Sequence, residues 1–387
     1  MKICNFRPLC WLAGCVLVAA AACQLSPWSI LVGVVMLVLI LPWLKVPRWF
    51  KLTALVLYTV VAVNFLLTTL WVANPAVRSY DPNAGLRGII LHYVDWLLKN
   101  FLSVDNANLV YSMLFGDKSG LSWTLQQNYS VAGLAHMFAV SGLHVGLLAI
   151  SLERVLRWVR VPRRAQLYVI APVLVFYAYL CSWRYAVLRA LIMYLVHAVA
   201  RQHLQVTDSL STMAMAMIII VTLFPYAVVS ASFWLSFACV LGIIISYQAF
   251  YRIIPVWGVA MYLAVMTGSL PFAIYYFGYL PLLGVVANVI LIPILVGAFY
   301  AGWLAVVTCV CGAVLWLVEP LLTFASAVCS AVASLPGSIL LVSSSWWPIP
   351  IYLLGLMVLS RFIFLKPKFK YPFAIALLAC YFLLLMV

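Results

Sequence analysis

Uninterrupted apolar runs as long as a bilayer is thick recur along almost the whole chain. Residues 209–229, 231–250, 256–277, 281–308 and 311–335 are five of them in succession, parted by only a few residues. In hydrocarbon a backbone must satisfy its own N–H and C=O groups, so an apolar run of about 20 residues has to be a helix. Outer-membrane barrels are excluded, because their strands are short alternating segments. A water-soluble fold is excluded by composition. Apolar residues make up 68% of the chain and charged residues 7%, against roughly 45–50% and about 25% in soluble domains. The expected fold is an all-α polytopic membrane protein, a bundle of roughly 11–13 transmembrane helices.

The first run follows Lys2 and Arg7 and ends near Cys23. It reads as a first span rather than a cleaved signal peptide, because a second run, 27–44, follows almost at once. A third run covers 52–72, and further runs cover 134–152, 165–183, 186–200, 347–365 and 371–387. Residues 74–130 differ in character, holding Asp81, Asp95, Asp105 and Asp117. Within them, Ile89, Ile90, Tyr93, Leu97, Leu98 and Phe101 recur at helical spacing, and Asp95 and Lys99 form an i,i+4 pair. This predicts an extracytoplasmic amphipathic helix lying in the membrane interface. The expected domains are therefore N-terminal transmembrane helices 1–73, an extracytoplasmic segment 74–130 and a transmembrane core 131–387.

The formal net charge is +15, and its distribution sets an orientation. Lys45, Arg48 and Lys51, then Arg154, Arg157, Arg160, Arg163 and Arg164, then Lys366, Lys368 and Lys370 all fall on one side if spans alternate. That side is the cytoplasm by the positive-inside rule. The N-terminus and Pro162 are then cytoplasmic, and Gly85 and the C-terminus extracytoplasmic, in a cell inner membrane. Ten cysteines show no disulfide or zinc spacing, and Cys309 and Cys311 lack partners to complete a metal site. No cofactor motif is present.

The stretch GLAHMFAVSGLHVGLLAI, 133–150, places His136, Ser141 and His144 in an apolar run beside Gly142 and Gly146. On one helix, Ser141 and His144 would share a face, with His136 about 80° from His144. Ala135/Ala139 and Gly142/Gly146 are small-xxx-small pairs that permit close helix approach. Three readings stand: a packing helix, a pore-lining helix, and a catalytic Ser141 with a histidine base. Arg184 and Arg189 suit either snorkelling to the interface or phosphate contact. Asn288 lies near Pro293, which either breaks 281–308 into half-helices or leaves it whole. Glu319 precedes Pro320 within a run and fits a helix break.

Several motifs together resemble the ComEC-type competence proteins, inner-membrane channels that take up single-stranded DNA in transformation. AGLAHMFAVSGLHVG (132–146) resembles their signature, and LFGDK (114–118), with Gly116, Asp117 and Lys118, resembles the segment that precedes it. PRR (162–164) is similar to their basic loop and VLRALIM (187–193) to their RAxIM element. SFWLSFACVLGI (232–243), with Ser236, and SLPFAIYYFGYLPLLGVVANVILIPIL (269–295), with Pro271 and Pro293, resemble two later elements. The resemblance covers about residues 110–300. It implies a channel whose DNA path uses His136, Ser141, Gly142, His144, Gly146, Arg184, Arg189 and Asn288. It also implies a periplasmic DNA receptor, a cytoplasmic DNA motor and membrane lipid as partners, and leaves a homo-oligomer open.

The chain departs from longer relatives in three places. Where they carry an OB-like domain, a loop and one short helix are expected here. No HxHxDH metal motif of a metallo-β-lactamase-like domain is present, so a separate nuclease is expected. The turn before RAxIM reads CSWRYAV (181–187) instead of containing Gly and Pro. No P-loop is present, so energy would come from a partner or a gradient. An intramembrane hydrolase using Ser141 and His144, and a small-solute transporter, are the alternatives.

Overall fold

The computed structural model describes residues 8–25, 48–73, 85–203, 208–308, 312–342, 345–346, 348–359 and 376–381. The apolar run 27–44, Cys309, Cys311 and the lysines at 366–370 lie outside the described residues. The fold is all-α. Helices α1 (Pro8–Leu25) and α2 (Arg48–Ala73) come first, then α3 (Leu86–Phe101), α4 (Val104–Phe115) and α5 (Trp123–Val131). After a short 3-10 turn at Ala135–Met137 come α6 (Gly142–Trp158), α7 (Arg163–Leu180), α8 (Tyr185–Gln202) and α9 (Ser209–Leu223). The last are α10 (Ala231–Ile253), α11 (Trp257–Phe277), α12 (Gly284–Thr308), α13 (Ala313–Ser334) and α14 (Ile349–Leu359). Two three-residue strands, Tyr279–Pro281 and Ile339–Leu341, pair antiparallel and tie the start of α12 to the end of α13.

Five described helices are long and apolar enough to cross a membrane: residues 49–69 of α2, and α10, α11, α12 and α13. Shorter apolar helices lie at Leu9–Ala21, Ser209–Leu223 and Ile349–Val358. Prolines do not break these spans. α12 runs through Pro293 as one 25-residue helix, and α13 runs through Pro320. The half-helix reading of 281–308 is thereby removed.

Two corrections concern residues 85–131. They form three helices rather than a loop and one short helix. The apolar face of α3 is divided: Leu97 and Leu98, with Leu91 and Val94, are buried in a core with α4, α5, α12 and α13, whereas Ile89 and Tyr93 of the expected face are exposed. Arg87 is buried as well, its Nε donating to Leu180 O at 3.1 Å. The periodicity was that of an amphipathic helix; hydropathy alone does not say whether lipid or protein covers the apolar stripe. The Asp95–Lys99 pair is present at 2.7 Å, on another, solvent-accessible face.

A second core joins α1, α2, α9 and α10, around Val16, Tyr58, Val61, Ile220 and Phe233. A third packs α6, α7 and α8 around Val145, Ile170, Leu174, Tyr177 and Leu191. α10 and α11 cross with their backbones nearly touching. Ala238 and Gly242 on one face Ala264 and Gly268 on the other, and a β-carbon on Gly268 would run into Ala238 O.

Candidate nucleic-acid path

Residues 132–141 do not continue α6. Gly133 sits at φ +76°, the 3-10 turn follows, and α6 starts only at Gly142. The single helical span expected over 134–152 is therefore corrected, along with the helical-wheel relation of His136 to His144. The cause is local. Ser141 is an N-cap whose Oγ accepts from Leu143 N at 3.2 Å, and its own N–H donates to His144 Nδ1 at 3.1 Å. This is a capping box with histidine in the position that Glu or Gln usually fills. An apolar run hides such a cap, because hydropathy sums are blind to it.

The capping box also decides what Ser141 and His144 do together. Ser141 Oγ lies 3.4 Å from His144 Nδ1, a contact that resembles a nucleophile and base. Nδ1 already accepts from the backbone, so the imidazole proton sits on Nε2. That atom is buried with no hydrogen-bond partner among the described residues and no carboxylate to orient it. His144 is fully buried, its ring 4.7 Å from that of Phe299 on α12. Ser141→Ala should cost about 1 kcal/mol, the value of an N-cap. A thermal melt of the purified chain measures this. A catalytic serine would instead make Ser141→Ala as damaging as Ser141→Leu.

The motifs that lie far apart in sequence meet around this segment. Gly116 ends α4 in the left-handed conformation, φ +77°, and a β-carbon there would lie 2.9 Å from Arg184 Nε and 3.2 Å from Val140. Lys118 stands 5.9 Å from the centre of the Phe138 ring. Partial desolvation, and secondarily the Arg184 guanidinium, lower its pKa from the ordinary lysine value. Asp117 turns away, accepting from Ser119 N at 3.0 Å. A β-carbon on Gly142 would strike the guanidinium of Arg189. Arg189 Nε donates to Ser236 Oγ at 2.7 Å, and the group lies 6.0 Å from the Phe237 ring. Asn288 Nδ2 donates to Gly284 O at 2.7 Å and to Gly133 O at 3.3 Å, anchoring the other end of the segment on α12. His136 is exposed, with Nδ1 3.1 Å from Gly133 O.

Other expected residues stand apart from this meeting point. Gly146 faces open space, with nothing within 4 Å of a β-carbon built there. The Gly142/Gly146 pair is thus not a helix-packing stripe. Pro271 is buried inside α11, and Pro293 is exposed on α12. Glu319 Oε1 accepts from Ser103 N at 3.4 Å, tying α13 to the start of α4.

Two arginines owe their place to a strained turn. CSWR closes α7 with the N–H of Trp183 on Ala178 O (2.9 Å) and that of Ser182 on Tyr179 O (3.1 Å). This is a Schellman ending without its glycine: Ser182 and Trp183 sit at φ 55° and 53°. Arg184 then caps α8, and Arg189 follows on the buried face of its second turn. With only 7% of its surface exposed, Arg189 does not snorkel. Among the described residues, Lys118, Arg184 and Arg189 have no carboxylate in ion-pair range.

The profile of the family described as "Competence protein" matches residues 113–385. ComE operon protein 3 of Bacillus subtilis (strain 168) is 26% identical over 199 residues, covering 50% of this chain and 25% of that relative. The chain thus spans about a quarter of the relative's length. No solved structure matches it. With residues 113–385, most of its length, under the family profile, the chain belongs to the competence protein family.

Proposed function

We propose that this protein is the inner-membrane channel through which single-stranded DNA reaches the cytoplasm during natural transformation. One observation carries the reading: the family's separated motifs bring three cations with no acidic partner among the described residues, Lys118, Arg184 and Arg189, to the segment 132–142. A phosphodiester chain needs fixed positive charge along its route, and guanidinium suits phosphate oxygens in particular. Non-helical backbone at membrane depth is tolerated where it lines a wet cavity, so 132–141 is suited to be the lining.

In this reading Lys118 and the exposed Arg184 receive backbone phosphates on the extracytoplasmic side. Arg189 holds the next phosphate deeper, at the first turn of α6, where helix N–H groups also favour an anion. Ser141, Gly142 and His144 fix that helix end, Gly142 by leaving room for the guanidinium. Asn288 holds the far end of the segment. His136, exposed, and Gly146, half-buried, lie beside the path. A receptor delivers the strand, and a separate motor and nuclease supply force and strand removal.

The serine hydrolase reading gains nothing from the geometry, because the Ser141–His144 contact is a helix cap. The reading is tested by a clean deletion in the parent strain. DNA should still bind and become protected from external nuclease, whereas import into the cytosol, scored by recombinants, should vanish. Normal transformation frequency would reject the channel.

A further inference from the structure

The α6–α7 hairpin carries a second arginine-bearing turn, at the end of α7 opposite Arg184. Val161 N–H donates to Leu156 O at 2.8 Å and Arg160 N–H to Arg157 O at 3.0 Å, a complete Schellman ending. The left-handed position of that motif is normally glycine, yet here Arg160 occupies it at φ 62°. A strained arginine where glycine would sit freely points to work for its side chain.

The surroundings define that work. Arg154, Arg157, Arg160, Arg163 and Arg164 are all exposed. The nearby acid, Glu153, is already engaged by Arg201 (3.2 Å) and Tyr194 (3.0 Å). The turn is rigid: buried Gln166 donates to Val161 O at 2.9 Å, and Gln202 to Arg164 O at 2.9 Å. Beside the arginines in sequence, an apolar stripe at i, i+3, i+4 runs along the last turn of α6 to its C-cap. It consists of Val155, Trp158 and Val159, all exposed, with Trp158 85% exposed, and Tyr168 of α7 stands exposed nearby. The stripe belongs to a helix end of a membrane protein.

We infer that this turn is a binding site for an anionic phospholipid. Arg160, Arg163 and Arg164 take the headgroup phosphate, and Val155, Trp158 and Val159 take the glycerol and upper acyl chain. Charge complementarity selects the anion, and a tryptophan between valines at a helix end of a membrane protein suits the lipid interface. Trp158 and Tyr168 also offer stacking faces to bases, so the oligonucleotide arm of the test separates lipid from nucleic acid. The inference does not depend on the channel reading.

The test uses the full chain purified in neutral detergent and titrated with phosphatidylglycerol, phosphatidylcholine or a single-stranded oligonucleotide, with binding followed by native mass spectrometry. Phosphatidylglycerol should bind in preference to phosphatidylcholine. Arg160→Gly should raise the melting temperature by about 2 °C through relief of strain, and weaken phosphatidylglycerol about five-fold, the worth of one arginine at a charged surface. Arg160→Gly with Arg163→Ala and Arg164→Ala should weaken it about a hundred-fold. Equal binding of the two lipids would overturn the proposal. So would unchanged phosphatidylglycerol affinity in these variants, or a loss confined to the oligonucleotide. Because Arg160→Gly stabilises the turn, lost binding cannot be put down to misfolding.

Discussion

Gly268→Ala is expected to strip most of the protein from the membrane fraction. Alanine is ordinarily about 1 kcal/mol better than glycine inside a helix, so an open site would tolerate the change or gain from it. At Gly268 the added methyl meets Ala238 O and lies 2.8 Å from Gly242 Cα. Both obstacles are backbone, which cannot rotate aside, so α10 and α11 must separate along their closely packed crossing. Overpacking of this kind costs about 3 kcal/mol, a large share of the roughly 5–15 kcal/mol that holds a fold together. Gly146→Ala is the matched control, because nothing lies within 4 Å of its new methyl. Quantitative immunoblots of membrane fractions should show a several-fold loss for the first and none for the second. Wild-type abundance of Gly268→Ala would mean that the two helices are not packed as described.

The contrast between these glycines shows how far the sequence could be read. Fold class was legible because long apolar runs leave the backbone only one way to satisfy itself in lipid. The family was legible because its motifs stand in order. The contact surfaces of the spans were less legible. Ala238/Gly242 and Ala264/Gly268 have the same small-xxx-small spacing as Gly142/Gly146, and only the fold says which pairs meet another helix. The segment 85–131 was underestimated for a related reason. Leu109, Val110, Met113 and Tyr129 are core residues on short helices, and short helices between polar turns look like loop.

The candidate site was legible as a list of residues and not as a place. Gly116, Ser141, Arg184, Arg189, Ser236 and Asn288 were each visible in sequence. That Gly116 makes room for Arg184, and Gly142 for Arg189, depends on contacts more than 40 residues apart along the chain. The break before Gly142 left a faint signal, a serine three residues before a histidine. The apolar residues on both sides concealed it.

On the channel reading proposed above, Arg189→Ala is expected to cut DNA import on the order of a hundred-fold while leaving the protein in the membrane. Most buried charges are held by an acid, and removing one partner of such a pair strands the other at a cost of several kcal/mol. Arg189 strands nothing of that kind. Among the described residues its guanidinium has Ser236 Oγ, the Met193 sulfur at 3.6 Å and the Phe237 ring. Alanine therefore leaves one hydroxyl to find a new partner, about 1 kcal/mol, and relieves the desolvation of the charge. Abundance should fall by no more than two-fold. The functional loss is larger because a hydrogen bond to a charged group contributes about 1.5–3 kcal/mol; at about 1.4 kcal/mol per decade, import should fall on the order of a hundred-fold. Arg189→Lys separates charge from shape. A lysine ammonium is a point charge and cannot span both Ser236 and Gly142 as the planar fork does, so its import should lie between those of alanine and wild type. Ser236→Ala should be mild, since it removes a positioning contact and leaves the charge. Transformation frequency divided by membrane abundance, measured for the three variants together, gives this order. Normal import by Arg189→Ala would take the deepest cation out of the proposed path and with it the reading of 132–142 as the route of the strand.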